Sequence, residues 1–166
     1  MAVEVCLQCG FDGTTWTDDA ALVEIGRIPD RWVGALRAVP PADAGRRPIA
    51  GMWSIAEYVD HVRETFFGMR FVVDTALDAP GTDLGAPPTN RFDPEPRAID
   101  VDRSLSGLRR EAALLGDRLQ AVSVEEWTAE VVLDGETIDL RWVARHAVHD
   151  ATHHLADVAR LRSALE

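Results

Sequence analysis

The stretch that decides the fold is Leu140-Arg-Trp-Val-Ala144-Arg-His146-Ala147-Val-His149-Asp150-Ala151-Thr-His153-His154-Leu-Ala-Asp157-Val158-Ala-Arg-Leu161. Leu140, Ala144, Ala147, Ala151, Val158 and Leu161 step by alternating threes and fours, which draws one apolar stripe along a helix. The position missing from that series is 154, so His154 takes a core place, with Asp150 one turn before it on the same side. His149 and His153 are expected on the outer flank, with Arg145, Arg160 and Arg162 also away from the seam. Residues four apart on a helix lie one above the other, and imidazole is the commonest side-chain metal ligand. Two pairs on this helix are therefore spaced to hold a cation, Asp150 with His154 and His149 with His153. An acidic group aimed into an apolar core is costly unless paired or metal-bound, which favours the first pair. His146 lies eight residues before His154, about 12 Å along the axis, too far to share an ion with it. It is expected to line a pocket or support a ligand.

Upstream, the same periodicity predicts three more helices. Thr17 or Asp18 caps the first, which runs to about Val39 with Leu22, Ile25, Trp32 and Leu36 inward and a kink or fresh start at Pro29. Ser54 followed by Glu57 is a capping box for the second. That helix carries Ile55, Val59, Val62, Phe66, Met69 and Val73 to about Leu77, with the fifth histidine, His61, beside the stripe. The third spans about Asp102–Val122, with Leu105, Leu108, Ala112, Leu115 and Leu119 at helical spacing. Residues 79–99 hold five of the nine prolines and read as a long loop, a crossover or lid over the mouth of a bundle. A short turn around Trp127 and a hairpin about Asp134-Gly135 precede the last helix. Four long helices with little strand predict an all-α four-helix bundle, one domain over residues 1–166 with an N-terminal extension at 1–16.

Composition narrows the function. The chain has 166 residues, long enough for a core without staples. A net charge of −11, with arginine as the only fixed side-chain cation, argues against a nucleic-acid partner. No apolar run is long enough to span a membrane and no signal peptide is visible, so the expected location is the cytoplasm. Cys6-Leu-Gln-Cys9-Gly10-Phe11 contains both cysteines. It reads as a redox pair, as half of a zinc knuckle completed by another subunit, or as an exposed, reduced, vestigial pair. With no second Cys-x-x-Cys, the last is preferred.

Trp53-Ser54-Ile55-Ala56-Glu57-Tyr58-Val59-Asp60-His61 resembles the second-helix signature of the DinB-like family, a Trp-Ser start followed by a metal-binding histidine. His149-Asp150-Ala-Thr-His153-His154-Leu-Ala-Asp157-Val158 resembles its last-helix signature, in which two residues, the second of them the latter half of a double histidine, bind metal. Matching the double histidine assigns those two positions to Asp150 and His154. The related mycothiol-dependent maleylpyruvate isomerases, with a Glu and a His four apart, are similar in using a carboxylate there. The resemblance covers about residues 17–164. It implies a down-up-up-down bundle and a divalent metal, often zinc or nickel, held by His61, Asp150 and His154.

Two departures stand out. Leu155-Ala156 replace the family's Arg-Gly, and Asp150 is shorter than Glu or His, so a change of register that uses His149 and His153 stays open. Two imidazoles and one carboxylate leave a fourth position free on zinc, the ligand count of a catalytic site. The leading expectation is a thiol-dependent S-transferase or isomerase acting on a small electrophile, with mycothiol as co-substrate and Arg91 or Arg97 available to an acidic thiol. The alternative is a non-catalytic metal-binding stress-response or interaction protein, as a homodimer. A metal hydrolase would want a base near His61, and Glu57 reads as the capping residue while Asp60 has no clear aim.

Overall fold

The computed structural model describes residues 3–87, 93 and 95–165. Four helices carry the fold: α1 (Asp18–Leu36), α2 (Ile55–Asp78), α3 (Val101–Gln120) and α4 (Leu140–Leu165). Each start is set by a side-chain oxygen that satisfies an otherwise unpaired N–H. Thr17 accepts from Ala20 N at 3.1 Å, Asp100 from Arg103 N at 3.0 Å and Asp139 from Trp142 N at 2.8 Å. Ser54 and Glu57 form the reciprocal capping box of α2. Pro29 does not begin a new helix. α1 is continuous through it, and Pro29 itself is buried in the bundle; the Ile25 carbonyl simply lacks its usual donor.

The polar ties between helices give their directions. Asp60 with Ser104, Arg70 with Glu111 and Asp74 with Arg118 rise together in number, so α2 and α3 are parallel. Asp18 with Arg141 at one end and the Ala35 carbonyl with Arg162 at the other make α1 and α4 parallel. Asp30 meets Arg109 while Ile25 lies against Gly116, so α1 and α3 are antiparallel. α2 and α4 are antiparallel too, with Tyr58 against His154 and His61 against Asp150. This is the down-up-up-down order. The parallel α2–α3 pair needs a long crossover, which is why the proline-rich segment exists. Between the helices Trp32, Phe66, Ile25, Ile28, Leu108, Leu115, Leu119, Leu140 and Leu161 are fully buried.

Two small ribbons decorate the bundle. β3 (Glu130–Leu133) and β4 (Glu136–Asp139) pair antiparallel across Asp134 (φ 51°) and Gly135 (φ 80°), the left-handed pair a two-residue hairpin demands. A lone hairpin is marginal in water. Here residues 81–85 add a third backbone strip, with Leu84 N donating to Val132 O at 2.9 Å and Val132 N to Thr82 O at 2.9 Å. The start of the proline-rich segment is thus fastened to the ribbon. Further on, Arg47 holds the carbonyl of Asp93 and, at 3.5 Å, that of Glu95. The second ribbon lies in the N-terminal extension: β1 (Val5–Cys6) pairs with β2 (Phe11–Asp12) around a turn containing Gly10 at φ 74°. Among the described residues no helix is long and apolar enough to cross a membrane.

Candidate metal centre

All six seam residues predicted for α4 are buried. His154 and Asp150 face α2 from the edge of that core rather than its centre. Their side chains are 16% and 14% exposed, and His61 on α2 is 13% exposed. His61 Nε2 lies 3.2 Å from Asp150 Oδ1 and His154 Nε2 lies 3.5 Å from the same oxygen. The imidazoles of His61 and His154 stand edge to face, 4.9 Å between centroids. The three residues expected to share an ion are therefore brought together. A tetrahedral zinc with nitrogen and oxygen ligands separates its donor atoms by about 3.4 Å, which the two distances to Asp150 Oδ1 match, and all three donors lie within 4.8 Å of one another. Asp150 Oδ2 is buried and has no hydrogen-bond partner. A carboxylate oxygen left so is costly unless a cation answers it.

His154 is oriented from behind. Its Nδ1 donates to Asp157 Oδ2 at 2.7 Å, and Asp157, only 4% exposed, is itself held by Arg160. A carboxylate behind a ligating histidine fixes the ring and raises its basicity. Burial alone would depress the His154 pKa, yet the Asp150 and Asp157 carboxylates outweigh it and push it up to about 9. Burial likewise opposes ionisation of Asp150, but His154 and His61 hold its carboxyl far below the usual range. Trp53 and Tyr58 wall the centre, Trp53 5.1 Å from His61 and Tyr58 4.9 Å from His154 between centroids. Burial, then the Asp157 charge, pushes the Tyr58 hydroxyl up to about 12.

The acidic residues nearby are occupied elsewhere. Glu57 takes Ser54 Oγ at 2.8 Å, Arg47 Nε at 2.8 Å and Arg97 N at 3.2 Å. Burial would raise its pKa, but Arg47 and Ser54 hold it down at about 2. Asp60 turns to α3, accepting from Arg63 and Ser104 at 2.8 and 2.9 Å. Arg97 reaches Asp60 at 3.7 Å, at the N-terminal end of α2; Arg91 lies outside the described residues. A groove of about 700 Å³ between α2 and α3, lined by Asp60, Arg63 and Arg103 among others, lies on that side rather than over the histidines.

Three expectations need correction. His149 and His153 do not face solvent, because the N-terminal ribbon covers them: their side chains are 12% and 20% exposed, and Phe11 stacks on His149 at 4.6 Å. These two rings address the ribbon and not His61. Cys6 and Cys9 are reduced but not exposed; both are partly buried, with Cys6 Sγ 3.5 Å from His153 Nδ1. His146 does not support the His61–Asp150–His154 centre. It stacks on Trp142 and bonds Glu4 at 3.1 Å. The residue that sequence reasoning passed over is Asp157, whose signal was its place three residues after His154.

A four-helix bundle in this order, with a His–Asp–His set between α2 and α4, defines the class. The DinB superfamily model matches residues 24–158, and the chain belongs to that superfamily. Among solved structures it is similar to YfiT from Bacillus subtilis, described as a probable metal-dependent hydrolase with an unusual four-helix bundle topology. The TM-score is 0.75 at 15% identity, over 88% of this chain and 86% of that one. No curated protein matches the chain significantly.

Proposed function

We propose that His61, Asp150 and His154 hold a divalent cation, zinc foremost and nickel as alternative, in a DinB-type thiol-dependent S-transferase or isomerase that acts on a small electrophile with a mycothiol-type co-substrate. The observation that carries this reading is the donor set itself, two imidazole nitrogens 3.2 and 3.5 Å from one carboxylate oxygen, three protein ligands where a tetrahedral ion takes four. A cation there supplies a Lewis-acidic position that lowers the pKa of a bound thiol or water. The chain's own groups then divide the work. Asp157 keeps His154 in the tautomer that presents Nε2 to the site. Trp53 and Tyr58 provide a flat apolar wall against which a small substrate packs.

The description of YfiT offers hydrolysis as the rival chemistry. Hydrolysis asks for a base beside the attacking water, and Glu57, Asp60 and Asp157 are each committed to arginine or histidine. A thiol, once ionised, needs no such base, and this favours transfer. The non-catalytic reading draws on Phe67 and Phe71, one turn apart on α2 and 52% and 56% exposed, a place for a second copy or another protein.

The test starts from protein purified without added metal. Elemental analysis should find a cation that His61→Ala and His154→Ala remove from this centre. The loaded protein should then accelerate loss of free mycothiol in the presence of an α,β-unsaturated electrophile. Full loading with no thiol loss but with ester or amide cleavage would replace transfer by hydrolysis. Full loading with neither leaves the non-catalytic reading standing.

A further inference from the structure

The structure assigns a second metal site to this chain: we propose that Cys6, Cys9, His149 and His153 form a closed Cys2His2 centre for a thiophilic divalent cation of the zinc class, fastening the N-terminal ribbon to α4. Their four donor atoms all lie within 4.8 Å of one another. Zinc–sulfur bonds of about 2.3 Å and zinc–nitrogen bonds of about 2.0 Å set tetrahedral edges of roughly 3.3 to 3.8 Å. The Cys6 Sγ to His153 Nδ1 distance, 3.5 Å, is already such an edge. The other donors need to close by about 1.5 Å at most.

Three independent observations point to a cation. First, both ligand pairs have the spacing of structural zinc sites, Cys-x2-Cys and His-x3-His, although some 140 residues separate them. Second, the backbone around the thiols has the form of a knuckle. Gly10, at φ 74°, bonds back to the Cys6 carbonyl at 2.9 Å, and the backbone N–H groups of Cys9 and Gln8 are directed at the Cys6 sulfur. Third, both ring nitrogens of His149 are shielded from solvent, and the ring is directed at the Cys6 sulfur. Glu4 Oε1 lies 2.8 Å from Nδ1, which leaves Nε2 as the donor to the sulfurs. Glu4 is thus placed as the outer carboxylate of a ligating histidine, while Asp157 stands farther off, 3.9 Å from His153 Nε2.

The site explains a fold feature that packing alone does not. β1 and β2 are two residues each, too short to hold a ribbon on their own. Leu7 at the tip is almost fully exposed, so Phe11 is the main buried apolar anchor within the ribbon. Four protein ligands leave no open position, so the role is structural.

Cobalt(II) substituted into the purified full-length chain tests this, because the His61–Asp150–His154 centre contains no sulfur. The expected result is one thiolate-bound equivalent of cobalt per chain, beside any cobalt held at the inner centre, with the near-ultraviolet thiolate-to-cobalt absorption of a tetrahedral site. That band should survive His61→Ala and His154→Ala and vanish in Cys6→Ser and His153→Ala. The unmodified chain suffices if a variant fails to fold. Cobalt bound without the thiolate band, half an equivalent shared between two copies, or a Cys6–Cys9 disulfide in place of metal would each overturn the proposal. Failure at the inner centre would leave the band untouched, so the two readings fall separately.

Discussion

On the inner side of α4, Asp150 and His154 meet one further donor, His61, from a neighbouring helix. On its flank, His149 and His153, one residue behind each, meet two thiols from a short ribbon. The two pairs have the same four-residue spacing on the same rigid scaffold. What differs is the partner. A packed helix presents one side chain per turn at a given height, so α2 delivers a single ligand and the set stops at three. A tight turn folds two sulfurs towards one point, so the ribbon delivers two and the set closes at four. Ligand count, and with it the distinction between an open and a closed centre, follows from the secondary structure of the partner rather than from α4 itself.

The largest expected effect separates the two faces outright. The unmodified chain should bind two equivalents of zinc. His61→Ala should abolish the inner equivalent alone, and Cys9→Ser the outer one alone, with the helical circular dichroism of the bundle kept in both. Loss of both metals from either variant would break the comparison, since it would make the two centres one cooperative unit. A second difference is in pH. His154 in the metal-free chain sits up at about 9, above its ordinary 6.5, because burial is outweighed by Asp150 and Asp157. Its contribution to stability is therefore fully present below pH 6.5 and is lost as pH rises through about 9. A cation at Nε2 must displace that proton, so inner-site affinity should climb about tenfold per pH unit below pH 9 and level above it. Competition against a chromophoric chelator at pH 6.5, 7.5 and 8.5, on the Cys9→Ser variant, measures this. A flat profile would remove His154 Nε2 from the ligand set.

Much of this architecture was legible in local pattern. The four helices, the capping box at Ser54 and Glu57, the Asp134-Gly135 turn and the inward aim of Asp150 and His154 all follow from period and cap chemistry, which depend on neighbours in sequence. What was not legible depends on neighbours in space. The flank of α4 reads as a solvated face when only the helices are counted, and nothing in residues 3–12 declares that they return to lie on it. The two half-motifs, Cys-x2-Cys and His-x3-His, were both in view, yet only tertiary contact pairs them. The fresh start expected at Pro29 fails for a related reason: its propensity cost is local, while the burial of Ile25, Ile28 and Trp32 that keeps α1 continuous is not.

The smallest effect examines the one residue both faces share. Asp157 accepts from His154 Nδ1 at 2.7 Å and stands 3.9 Å from His153 Nε2, beyond hydrogen-bond reach. Asp157→Asn keeps the shape and one acceptor oxygen but removes the charge. Behind His154, where the hydrogen bond is short and only one anionic ligand faces the cation, that charge sets the basicity of Nε2, and metal affinity should fall about tenfold. Behind His153 the contact is looser and two thiolates already neutralise a divalent ion, so the outer centre should weaken less. Titrating the variant with zinc while following the cobalt-defined outer site separates the two losses. An equal loss at both would mean that Asp157 acts by holding the end of α4 in place, and that the difference between an open and a closed centre lies entirely in the ligands.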